Sequence, residues 1–148
     1  MPAVQDGTYR FTRGSNSDQA ATTIVNNDQV NPVYLLPETV GGKDQEWKVR
    51  NLPNGNVIIQ QSVSGQYLGY NGDASHMAIA IVSSEVKEWI IEPSRAEQGR
   101  FNIVVPGSPE GQKFVLDIAL LKIFPPTVCI CFKEIEELVL IKFVSLES

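Results

Sequence analysis

The chain has 148 residues, 43% of them hydrophobic and 20% charged, which fits one soluble globular domain large enough to bury its own core. The formal charge is −5 and no run of Lys or Arg offsets it, so nucleic acid and anionic membranes are poor partners. No apolar stretch approaches the roughly 18 residues that span a bilayer. Met1–Asp6 lacks the basic and apolar regions of a signal peptide, so a cytoplasmic monomer is expected.

Short β-branched and aromatic runs alternate with Gly, Pro, Asn, Asp and Ser clusters along the whole chain, the pattern of an all-β fold. The predicted strands begin with Gly7–Arg13, Ala21–Asn26, Val33–Pro37 and Glu46–Asn51. Four more follow at Asn56–Val63, Tyr67–Tyr70, Met77–Ser83 and Glu88–Glu92. The last four are Arg100–Val105, Lys113–Ile118, Thr127–Phe132 and Leu138–Val144. Between the fourth and fifth, Leu52-Pro53-Asn54-Gly55-Asn56 carries Asn-Gly, whose tolerance of positive φ predicts a type I′ hairpin.

An internal repeat organises these strands. Glu46-Trp47-Lys48-Val49 recurs 42 residues on as Glu88-Trp89-Ile90-Ile91, and 49 further on, more loosely, as Glu137-Leu138-Val139-Leu140. Each repeat also opens on a Gly followed by alternating apolar residues: Gly7-Thr8-Tyr9-Arg10-Phe11, Gly55-Asn56-Val57-Ile58-Ile59 and Gly99-Arg100-Phe101-Asn102-Ile103. One domain over residues 1–148 thus divides at about 7–53, 54–97 and 98–148. Three four-stranded units are too few for a propeller. They suit a closed six-stranded barrel with a hairpin cap, which leaves no long free edge. The expected fold is a β-trefoil of twelve strands in three pseudo-symmetric repeats, with Trp47 and Trp89 as equivalent core residues.

Few residues suggest catalysis. His76 is the sole histidine, and its polar neighbours Asp73 and Ser75 are too close in sequence to assemble a triad. Cys129 and Cys131 share one strand face at about 6.5–7 Å, the far edge of disulfide reach, and read as small buried hydrophobes. One His and two Cys cannot complete a zinc site, so no metal and no cofactor are expected. Glu134, Glu136 and Glu137 fit a solvated turn. The chain therefore reads as a non-enzymatic binder that works through loops on a rigid sheet. The loop between the second and third strands, Val25–Val33, is rich in Asn, lacks Gly and ends in Pro32. Asx side chains can tie such a loop to its own backbone, which lowers the entropy cost of binding.

Several segments together resemble the mushroom β-trefoil serine protease inhibitors of the cospin type. They are Asp6-Gly7-Thr8-Tyr9-Arg10-Phe11, the Leu52–Asn56 turn, Glu88-Trp89-Ile90-Ile91-Glu92-Pro93, and an apolar strand after Pro125-Pro126. The resemblance covers essentially the whole chain. It implies inhibition of a trypsin-like serine protease by an exposed loop. The reactive residue would map onto Asn27, flanked by Asn26, Asp28 and Gln29. Related members use the loop between the eleventh and twelfth strands with a Lys, which here begins at Lys133. Lys133 suits the acidic trypsin pocket, but the glutamates after it do not, whereas Asn27 would act through loop rigidity and surrounding contacts. Arg13, Lys43 and Arg95 also suit trypsin by charge and read as surface cations.

Two other functions compete. Gln45-Glu46-Trp47 matches the Gln-x-Trp signature of ricin-B-like trefoil lectins, although the second repeat has Lys87 and the third lacks the Trp. A sugar site would draw on Tyr67, Tyr70, Asn71 and Asp73. Inhibition of cysteine proteases, as in other mushroom trefoils, would use Gly41-Gly42 or Ser64-Gly65.

Overall fold

The computed structural model describes residues 4–13, 19–22, 31–37, 42–70, 78–93, 100–107, 112–118, 128–134 and 141–145. All twelve predicted strands are present. They number fourteen among the described residues, because Val33 and Ala80 each interrupt one strand. The first repeat contributes β1 (Gly7–Arg13), β2 (Gln19–Thr22), β3 (Asn31–Pro32), β4 (Tyr34–Pro37) and β5 (Trp47–Asn51). The second contributes β6 (Val57–Gln61), β7 (Tyr67–Gly69), β8 (Ala78–Ile79), β9 (Ile81–Ser83) and β10 (Ile90–Pro93). The third contributes β11 (Arg100–Val104), β12 (Gln112–Ile118), β13 (Val128–Glu134) and β14 (Ile141–Ser145). A short 3-10 helix, Gly42–Gln45, lies in a stretch whose sequence carries no helix signal.

Pairing closes a ring. β1 pairs with β5, β5 with β6, β10 with β11, β11 with β14, and β14 with β1, all antiparallel. The remaining junction is a bridge between Val57 and Trp89, whose backbones exchange two hydrogen bonds of 2.8 Å. Hairpins β2–β4, β7–β9 and β12–β13 make up the cap. Thr12, Gln60 and Val104, each five residues past its repeat's Gly, pair with Ala20, Tyr67 and Val115. That shared register extends the threefold repeat from sequence to backbone. It also makes the two strand breaks equivalent: Val33 and Ala80 are both buried and meet through Val33 N–H donating to the Ala80 carbonyl at 3.0 Å.

The core follows from the alternation. Phe11, Ile59 and Ile103 are equivalent by register, and all three are buried. Trp47 and Trp89 are fully buried, as their repeated motif predicts. Trp47 stacks on Phe11 with centroids 5.9 Å apart, and Trp89 meets Tyr70 edge-on at 5.6 Å. The Trp89 indole N–H donates to the Leu68 carbonyl at 3.0 Å, so its polar atom is satisfied inside the apolar layer. Trp47 stands opposite Tyr9, Trp89 opposite Val57, and Ile141 opposite Phe101. The register thus gives Ile141, rather than the expected Leu138, as the third counterpart of the tryptophans. Glu137–Leu140 lies outside the described residues.

The predicted type I′ turn is replaced by a three-residue loop. Leu52 N–H donates to the Asn56 carbonyl at 2.8 Å, Gly55 N–H donates to the Leu52 carbonyl at 3.0 Å, and Gly55 has φ +90°. Pro53 explains the change. A two-residue loop would need its N–H to close the hairpin, and proline has none; it suits the second position of a tight turn instead, with Gly55 supplying the left-handed residue.

Candidate functional site

Two polar clamps hold the Asn51–Val57 hairpin in place. On one side, Asp6 Oδ1 accepts from the Asn51 backbone N–H at 2.8 Å and from Asn51 Nδ2 at 2.7 Å. Asn51 Nδ2 also donates to the Val4 carbonyl at 2.9 Å. These bonds from Asn51, backbone first and then side chain, lower the Asp6 pKa. The charge of Arg50 adds a little, and partial desolvation opposes. On the other side, Glu88 Oε1 accepts from Asn54 Nδ2 and Asn56 Nδ2, both at 2.9 Å, and the two bonds, Asn54 first, lower its pKa against desolvation. Within the turn, Asn54 Oδ1 accepts from Asn56 N–H at 2.9 Å. The segments that carry the inhibitor resemblance up to Pro93 therefore meet here, fastening the barrel's strands together, and serve as scaffold.

The turn between β6 and β7 is bound up in the same manner. Gly65 N–H donates to the Gln61 carbonyl at 2.9 Å, and Gln61 N–H donates to the Gln66 carbonyl at 2.8 Å. Ser64 Oγ donates to Gln61 Oε1 at 2.6 Å, and Gln60 Nε2 donates to the Gly65 carbonyl at 3.0 Å. Gln61 is buried, and its Nε2 reaches the Asp44 carbonyl at 3.4 Å, linking this turn to the Gly42–Gln45 helix. Ser64-Gly65 is thus a tight, self-bonded turn, exposed at its tip through Val63. Gly42 opens the 3-10 helix, while Gly41 lies outside the described residues.

Of the two tyrosines expected for a sugar site, Tyr70 is already engaged. Tyr67 belongs to β7 and is half-buried. Tyr70 is half-buried with its edge contact to Trp89, and Lys87 Nζ sits 4.7 Å from its ring centroid. Lys87 Nζ also pairs with Glu85 at 3.0 Å. The Lys87 stem lies across Gly69, where an added Cβ would stand 2.7 Å from Lys87 Cγ. Asn71, Asp73 and His76 lie outside the described residues.

The expected reactive residues Asn26, Asn27, Asp28 and Gln29 lie outside the described residues as well, as do Arg95, Glu136 and Glu137. Lys133 stands within β13 and not at the start of a loop: the ladder continues through Lys133 opposite Lys113 and Glu134 opposite Gln112. Cys129 and Cys131 share that strand, opposite Asp117 and Val115. Among the described residues no three of His, Cys, Asp and Glu come together as metal ligands would. Sequence reasoning misses both the Glu88 clamp and the Lys87 contact. The one signal in the sequence is the exchange of Gln45 for Lys87 between repeats, which on its own reads as a defect in a motif.

No family model matches the chain, and no curated protein does. Solved structures do. The ricin B-like lectin of Macrolepiota procera, in complex with lactose, matches at TM-score 0.77 and 18% identity over 98% of this chain and 99% of that one. The designed threefold-symmetric protein ThreeFoil matches at 0.75 and 19% over 95% and 100%. The Rhizoctonia solani agglutinin matches at 0.75 and 17% over 98% and 99%. None of these three is named as a protease inhibitor. At such identities the likeness is one of fold, and with the closed barrel and its three hairpins it establishes that the chain is a β-trefoil.

Proposed function

We propose that this protein is a carbohydrate-binding β-trefoil module that acts without catalysis. The observation that carries the reading is its likeness, over nearly the full length of both chains, to a mushroom lectin that holds lactose. Isothermal titration with lactose and other small saccharides tests the reading. Saturable binding is expected, and no heat of binding from any saccharide would count against it.

Inhibition of a trypsin-like serine protease is the second reading, favoured by the sequence resemblance of Asp6–Phe11, Leu52–Asn56 and Glu88–Pro93. It assigns the contact to Asn26, Asn27, Asp28 and Gln29. A stoichiometric loss of trypsin activity near one-to-one would establish it. Asn27→Ala should then abolish inhibition while leaving the thermal transition in place. If the protein is a lectin, the same variant should retain saccharide binding.

A further inference from the structure

We infer that Lys87 closes the second repeat to saccharide by covering the face of Tyr70, and that removing it opens an aromatic sugar platform there. The inference extends the carbohydrate-binding reading and rests on it. Trp47 and Trp89 are equivalent, so Gln45 and Lys87, each two residues earlier, occupy the same place in the first and second repeats. Ala20 and Tyr67 are equivalent, so Thr22 and Gly69 match in the same way.

The two repeats solve this place differently. In the first, Gln45 is neutral and withdrawn completely into the protein, beside a β2 strand that ends in the buried Thr22. In the second, the side chain is a cation, and an ammonium group withdrawn that far would lose its hydration. Lys87 instead runs outward across Gly69, where any side chain would collide with its stem. Its Nζ comes to rest over the Tyr70 ring and against Glu85. The aliphatic stem stays covered and the charge ends beside the exposed Glu85 carboxylate, as in other long amphipathic side chains. A saccharide stacks through its C–H face on an open aromatic ring, and a ring face already holding an ammonium offers no such surface. The exchange of Gln for Lys at one place thus converts a motif position into a cover.

The test is a gain of binding. Lys87→Ala is assayed against the parent on a panel of immobilised neutral glycans that includes lactose, with the thermal transition recorded for each protein. The variant should show a new saturable component, or a rise of about tenfold in apparent affinity. The double variant Lys87→Ala/Tyr70→Ala should lose the gain, and Lys87→Arg, which keeps a cation over the ring, should not show it. Folded Lys87→Ala with the parent's glycan profile would overturn the inference, as would a gain that survives loss of Tyr70. If the parent binds no glycan and Lys87→Ala does, the covering role stands while the carbohydrate-binding reading of the parent falls. If the parent binds and Lys87→Ala binds no better, the covering role falls while that reading stands.

Discussion

Gly69 and Gly55 show why one substitution has different costs at two places. An added Cβ at Gly69 would meet Lys87 Cγ at 2.7 Å, with the Lys87 side chain pinned by Tyr70 and Glu85. Gly69→Ala should therefore destabilise the fold by about 1–3 kcal/mol, and much of that loss should disappear in a Lys87→Ala background. Additive single effects in a denaturant double-mutant cycle would show that the two residues do not couple. At Gly55 there is nothing within 4 Å of an added Cβ, yet φ is +90°. Gly55→Ala should cost about 1–2 kcal/mol through backbone conformation alone, and no change at Lys87 should relieve it. The Glu88 clamp is pH-dependent in a definite sense. Hydrogen bonds from Asn54 and Asn56 lower the Glu88 pKa, so its contribution is present above the usual carboxylate range and fades as pH falls through the lowered value. Glu88→Gln should melt below the parent at neutral pH, and the two should converge once the pH falls below the lowered Glu88 value. A gap that persists in acid would show that the ionised carboxylate is not what Asn54 and Asn56 hold.

At the scale of elements, strand existence was legible because it rests on alternation, and alternation survives wherever one face of a strand is buried. Tyr9, Phe11, Val57, Ile59, Phe101 and Ile103 alternate in sequence, and all are buried or half-buried on the inner wall. Turn geometry was less legible. Asn54-Gly55 signalled a hairpin correctly, but its type was decided by Pro53, whose missing N–H excludes a two-residue loop. The strand break at Val33 and Ala80 was hidden for another reason. It exists so that β3 can pair with β9, through Asn31 opposite Val82 and Pro32 opposite Ile81, and β8 with β13. Such contacts between hairpins leave no mark on local periodicity. The third copy of the tryptophan motif was displaced because Glu137 mimicked Glu46 and Glu88, whereas pairing places Ile141 in the equivalent position.

For the whole molecule, the fold was legible while the expected reactive loop lies outside the described residues, and the legibility of the fold has a physical reason. The residues that sequence signatures rely on are those the threefold barrel constrains: Gln45, Trp47 and Trp89 inside, and Asp6, Asn51, Asn54, Asn56 and Glu88 in the clamps. The scaffold needs them whichever loop binds a partner. Loops on such a frame are free to vary, so a sequence signature confined to the frame reports fold before it reports ligand. The frame's own energetics can be checked at Trp47, fully buried and stacked on Phe11. Trp47→Ala should cost about 3–5 kcal/mol in chemical denaturation, and a loss below about 1 kcal/mol would mean that it does not hold the barrel layer. What the protein recognises is read by exposing the pure protein to immobilised glycans, with free sugar as competitor. Saturable retention that the free sugar displaces is the predicted result. No retention on any glycan, beside trypsin losing its activity near one-to-one, would contradict it.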